Sequence, residues 1–192
     1  MGEHSVGLIL LTGMPGSGKE EFVKISTGRG IRVLRMGDFV RAEAKERGLE
    51  PTDENVGGLA QKMREEEGFD YWAKKTAEAL DDRLTLVDGL RGRAEYILFH
   101  KRAKCGIAVV AIHSSPNVRH QRLVARGRSD APKTPDEFEQ RDVRELRWGL
   151  GDVIARADYM IVNETSLEDL RAQVEAVLDD IIEGNKACVF VN

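Results

Sequence analysis

The chain has 192 residues, 41% of them hydrophobic and 32% charged, enough for one globular domain with a core of its own. Its 29 basic and 33 acidic side chains leave a formal net charge of −4, so no bulk field draws it to nucleic acid or to an anionic membrane, and neither is expected as a partner. The two cysteines, Cys105 and Cys188, stand far apart without His or Cys at ligand spacing, which argues against a disulfide framework or a cysteine-built metal centre.

In chain order, residues 6–12 form the first apolar strand pattern. No basic segment precedes it and a glycine-rich turn follows it, so neither a signal peptide nor a membrane span is expected there, and the protein reads as cytoplasmic. Then comes Gly13-Met14-Pro15-Gly16-Ser17-Gly18-Lys19, followed by a helical run over residues 20–27. This is a Walker A arrangement in its strand, loop and helix context. Small residues let successive backbone N–H groups converge on phosphate oxygens, the helix N-terminus adds partial positive charge, and Lys19 supplies a full one. ATP is therefore the expected cofactor. The pattern ordinarily places Ser or Thr after the lysine as a magnesium ligand, but Glu20 and Glu21 stand here. Two roles are open to them, magnesium coordination by Glu20 or a favourable interaction of both acids with the helix dipole, and the second is preferred.

Further strand patterns occur at residues 31–34, 84–87, 107–112 and 159–162, with helical patterns between them. That alternation predicts an α/β fold, a three-layer α/β/α P-loop NTPase whose five-stranded parallel sheet gathers ligands at the strands' carboxyl ends. Residues 50–82 carry two helical patterns without a strand, capped at Thr52 or Asp53, and read as a helical flap. Asp88 at the tip of the third strand is in place to hold Mg2+ through water. The polar stretch 127–135 leads into a charged helix over residues 136–148 and suits a mobile cover; the last helix begins at Ser166, in a capping box with Asp169. The division expected is a core of residues 1–36, 84–125 and 149–184, an acceptor flap of 37–83 and a lid of 126–148, all in one domain.

Five segments together resemble the nucleoside monophosphate kinases, and within them an archaeal group related to adenylate kinases and dephospho-CoA kinases. They are the loop at residues 13–22, Met36-Gly37-Asp38-Phe39-Val40-Arg41, Val87-Asp88-Gly89-Leu90-Arg91, residues 126–130, and residues 157–164. The resemblance implies a flap that binds the acceptor and an arginine-bearing lid. It implies that Arg41 grips the acceptor phosphate beside Asp38, that Arg91 assists it, and that Glu95 falls where an adenine-reading glutamine belongs. For Glu95 a place in the first turn of the next helix is equally open. The resemblance also places Arg122, Arg126, Arg128 and Arg141 around the two nucleotides, and the donor base near Asn163. Arg119 and Arg147 read as solvated helix charges, and Phe69, Trp72 and Trp148 as packing residues, with Phe69 or Tyr71 as candidates for the acceptor wall.

These implications make the protein an ATP-dependent phosphotransferase acting on a small nucleotide-like acceptor, as a monomer or homodimer. Alternatives are a dephospho-CoA or other small-metabolite kinase, and a nucleotide-binding regulatory protein without transfer activity. A monophosphate acceptor needs no general base; a hydroxyl acceptor would make Asp38 the candidate base.

Overall fold

Runs of Leu, Ile and Val build one sheet: β1 (Val6–Thr12), β2 (Arg32–Arg35), β3 (Thr85–Asp88), β4 (Gly106–His113) and β5 (Tyr159–Val162). The computed structural model describes residues 6–103, 106–127, 132 and 134–184. All strand pairs are parallel and the order across the sheet is β2-β3-β1-β4-β5. Parallel neighbours need long crossovers, and helices supply them. The helices are α1 (Lys19–Gly28), α2 (Met36–Glu46), α3 (Asp53–Glu67), α4 (Tyr71–Ala77), α5 (Arg93–Arg102), α6 (Pro116–Arg126), α7 (Pro135–Arg147), α8 (Leu150–Ala155) and α9 (Leu167–Ile182).

Side chains alternate along β1, so its two faces feed two cores. Ile9 and Leu11 join Phe22 and Val23 of α1 and Leu170, Val174, Leu178 and Ile181 of α9. The α9 residues are three or four apart, which turns one stripe of that helix onto the sheet. Leu8 and Leu10 instead meet α2, α3, α4 and α5 through Met36, Val40, Met63, Trp72 and Phe99. Three layers result, α/β/α. Among the described residues, no helix is long and apolar enough to cross a membrane.

Several boundaries differ from the sequence expectation in ways that matter. The ladder of β2 on β3 runs to the pair Arg35↔Asp88, one residue beyond the apolar pattern. A cation and a carboxylate thereby reach the carboxyl edge of the sheet side by side. The flap helix α3 is capped by Thr52, whose hydroxyl accepts from the Asn55 N–H, and α7 by Thr134, whose hydroxyl accepts from the Glu137 N–H. Ser166 and Asp169 form the expected capping box. The short α8 had no sequence expectation; six residues are too few for a helical period to declare itself, and it begins after Gly149 in the left-handed region at φ 96°.

Candidate nucleotide site

The loop between β1 and α1 closes tightly. Ser17 N–H donates to the Met14 carbonyl at 3.1 Å, and Gly13, Gly16 and Gly18 all take positive φ. A Cβ on Gly13 would stand 2.3 Å from the Ile112 carbonyl oxygen, and one on Gly18 would stand 2.4 Å from the Asn163 amide nitrogen. Glycine is thus required twice over, for conformation and for the close approach of β4 and β5. Asn163 itself, 4% exposed, donates from Nδ2 to the Ser17 carbonyl at 2.8 Å. Its backbone carbonyl accepts from Ser114 Oγ and from Arg122. Asn163 therefore braces the loop, and its side chain does not line the cleft.

Lys19 Nζ donates to the carbonyls of Gly13 at 2.6 Å and Met14 at 3.1 Å, lying back on its own loop. Burial lowers its pKa to about 8, partly offset by Asp88 and reinforced by Arg91. A bound polyphosphate stabilises the ammonium, so binding takes up a proton whenever the free lysine is neutral. Affinity for ADP should accordingly be full below pH 8 and fall by up to about tenfold per unit above it, until the pKa of the bound state is passed. Calorimetry at pH 7, 8, 9 and 10 measures this, and a flat affinity across that range would refute it.

Around the lysine lies a cleft of about 330 Å³, lined by the loop, the ends of β2 and β3, and residues of α6 and α7. Seven cationic side chains face three carboxylates there, a surplus that suits a polyphosphate. Lys19, Glu20, Asp88, Arg91, Arg122, Arg126, Arg141 and Arg41 all line it, which brings together most of the residues expected from the sequence. Two others in the lining, Arg35 and Glu145, had no sequence signal beyond their charge. Glu145 accepts from Arg91 Nε at 2.7 Å. Burial opposes the charge on each partner, but each outweighs that for the other, holding Arg91 above and Glu145 below their ordinary pKa ranges.

Asp88 Oδ1 is buried and accepts no hydrogen bond, an orphaned acceptor of the kind that a hydrated cation satisfies. Asp88 therefore fits the magnesium role. Glu20 does not stand ready as a ligand, because its two oxygens accept from Arg35 at 2.7 and 2.8 Å. Glu21 pairs with Arg171 at 2.7 Å and with Lys24. Both acids thus have side-chain partners beyond the helix dipole.

A second cleft of about 450 Å³ opens between α2, α3 and the C-terminal end of α7. It shares Gly37, Arg41, Arg91, Arg141 and Glu145 with the first. Arg64 and Arg144 add further charge, while Val40, Val56, Trp72 and Trp148 supply an apolar wall. Trp148 is nearly enclosed by guanidinium groups, with Arg64 4.3 Å, Arg91 5.7 Å and Arg144 5.8 Å from its ring centre. Its indole N–H donates to Gln61 of α3, joining flap and lid.

Other expectations divide. Glu95 stands in the first turn of α5, one of its two expected places, and not at an acceptor base: it is 1% exposed, takes Arg64 at 2.9 Å and the Arg91 backbone N–H at 2.7 Å, and lines neither cleft. Asp38 is exposed, paired with Arg41 at 2.5 Å, and outside both linings, as are Met14, Ser17 and Glu21 for the first. Arg119 is no solvated charge; it is 3% exposed, donates to the Pro15 carbonyl at 3.2 Å and pairs with Asp142 at 2.9 Å, tying loop to lid. Phe69 is 48% exposed and Tyr71 bonds to Glu43, and neither lines the second cleft. Arg128 and both cysteines lie outside the described residues.

A five-stranded parallel sheet, a phosphate loop and a flanking arginine cleft define a P-loop kinase fold. A family model described as "AAA domain" matches residues 12–139. The chain belongs to the UPF0200 family: it is 47% identical over 180 residues to the UPF0200 protein of Hyperthermus butylicus, covering 92% of this chain and 95% of that one. Among solved structures it resembles dephospho-CoA kinase from Campylobacter jejuni, with TM-score 0.58, 15% identity and coverage of 94% and 99%. It also resembles shikimate kinase from Acinetobacter baumannii in complex with shikimate, with TM-score 0.57, 17% identity and coverage of 95% and 96%. At those identities the structural likeness concerns the fold.

Proposed function

We propose that the protein is a phosphotransferase that binds ATP with Mg2+ on residues 13–19 and passes the γ-phosphate to an anionic, nucleotide-like acceptor in the second cleft. The observation that carries this reading is the junction of the two clefts, where Arg41, Arg91 and Arg141 belong to both. Phosphoryl transfer needs fixed positive charge at the point where donor and acceptor meet, and little else from the protein. Lys19 and the loop N–H groups hold the donor phosphates, and Arg126 and Arg141 face the transferring group. Bound through water at Asp88, magnesium would neutralise charge on the donor phosphates.

A monophosphate acceptor suits this site better than a hydroxyl one. Its attacking oxygen is already ionised, whereas the one candidate base considered, Asp38, is exposed and held by Arg41 outside both linings. The apolar wall and the five arginines of the second cleft match a molecule with a flat body and an anionic end. Dephospho-CoA is the nearest alternative acceptor, in line with the fold likeness to a dephospho-CoA kinase.

The test is ADP release measured with ATP and Mg2+ across nucleoside monophosphates, dephospho-CoA and water alone. ADP formed with a monophosphate supports the proposal. ADP formed only with dephospho-CoA moves the acceptor, and ATP binding without ADP from any acceptor makes the protein a nucleotide-binding regulator. Within the same assay, Arg41→Ala should raise the acceptor KM roughly tenfold to a hundredfold and weaken ATP binding much less, since Arg41 reaches the phosphate cleft only at its junction with the second. Equal losses for both ligands would put Arg41 on the donor side.

A further inference from the structure

Arg35 enters the phosphate cleft from the last residue of β2, directly opposite Asp88 in the sheet register. Its two terminal nitrogens donate to both oxygens of Glu20, and NH1 also lies 4.0 Å from Asp88 Oδ2. The hydrogen bonds from Arg35 to Glu20 raise the guanidinium pKa, so this cation is permanent at any working pH. Glu20 follows the loop lysine and Asp88 ends β3, so Arg35 faces two of the three carboxylates that line the cleft. Among the described residues, no group of three or more His, Cys, Asp or Glu is arranged to hold a metal ion. Two carboxylates alone are a poor site for a hard divalent cation, which takes six or more oxygens, and here a guanidinium already offsets one of their two charges.

We propose that Arg35 is the resident counter-cation of the metal position: it keeps a free divalent ion off Glu20 and Asp88 until nucleotide phosphates arrive with the ion and supply the missing oxygens. This rests on the phosphate-cleft reading above and adds an order to it, with metal entering together with nucleotide. Neutralising the guanidinium removes a unit charge from beside both acids, so it should unmask metal binding in the absence of nucleotide.

The probe is Mn2+, titrated into the full chain and followed by the electron-spin-resonance signal of the free ion, with and without ADP. The wild type is expected to take Mn2+ weakly alone and much more tightly with ADP. Arg35→Gln should bind Mn2+ alone at least about tenfold more tightly than the wild type. The Glu20→Gln/Arg35→Gln double variant should lose that gain. Should Arg35→Gln fail to fold, Arg35→Lys serves, since a single ammonium cannot hold both oxygens of Glu20, and it should show an intermediate gain. Equal Mn2+ affinity in the wild type and the folded variant overturns the proposal, as does wild-type binding of Mn2+ that ADP does not improve. ADP binding with no response of the metal to Arg35 would sink this inference and leave the phosphate cleft standing. Failure of ADP to bind the wild type at all would sink both.

Discussion

Lys19→Ala is expected to lower ADP formation about a hundredfold or more, equivalent to roughly 3 kcal/mol of transition-state stabilisation. The lysine is the only full charge that the loop itself contributes to the cleft, and it lies on the Gly13 and Met14 carbonyls, from which it must turn to meet a phosphate. Its depressed pKa shows that the folded protein disfavours the ammonium before nucleotide binds. The same substitution should therefore leave the thermal midpoint unchanged or raise it. Measured together, single-turnover ADP formation and thermal unfolding separate lost catalysis from lost folding. Turnover within a factor of about three of the wild type would remove Lys19 from the mechanism.

Arg64→Met is expected to cost about 3 to 5 kcal/mol of stability, because it strands the Glu95 carboxylate in the core. Both side chains are buried, at 2% and 1% exposure, so solvent does little to screen the remaining charge. Burial lowers the pKa of Arg64, and Glu95 partly offsets that effect, so each charge of the buried pair stabilises the other. Adding Glu95→Leu to Arg64→Met should recover much of the loss, since a buried ion pair replaced whole by apolar groups is often neutral. Denaturant unfolding of the two single variants and the double variant gives the coupling directly. A single-variant loss below about 1 kcal/mol would mean that water reaches Glu95. Arg64 also lines the second cleft, so acceptor affinity should fall as well, and unfolding measured without ligand keeps the stability effect separate.

The loop and the sheet were legible in the residues because their signals are local. Glycines at 13, 16 and 18 before Lys19 report a backbone conformation that only neighbouring chain atoms determine. Apolar runs of four to six residues likewise report strands, and the longest, in β1 and β4, report burial on both faces of a parallel sheet. Capping did as well where the side chain and its N–H partner are three residues apart, as at Thr52 and Ser166.

What the sequence did not reveal was the partner of several of its charges. Arg119, Glu95, Arg35 and Glu145 look alike in sequence, each a charge on or near a helix. Only the meeting of distant segments separates them: Arg119 finds Asp142 and Pro15, Glu95 finds Arg64 from another helix, and Arg35 finds Glu20 and Asp88. A charged side chain takes its role from its partner and its burial, and neither is encoded within a few residues of it.

From the sequence by itself came the parallel α/β class and the phosphate loop, and the family resemblance named Arg41, Arg91, Arg122, Arg126 and Arg141 but not Arg35. Tertiary structure alone decided which carboxylates are engaged by cations, that the phosphate-loop cleft and the second cleft share Arg41, Arg91 and Arg141, and that Asp88 keeps an orphaned oxygen. Backbone conformation and hydrophobic period are properties of short segments, whereas electrostatic partnership depends on distances that exist only once the chain has folded.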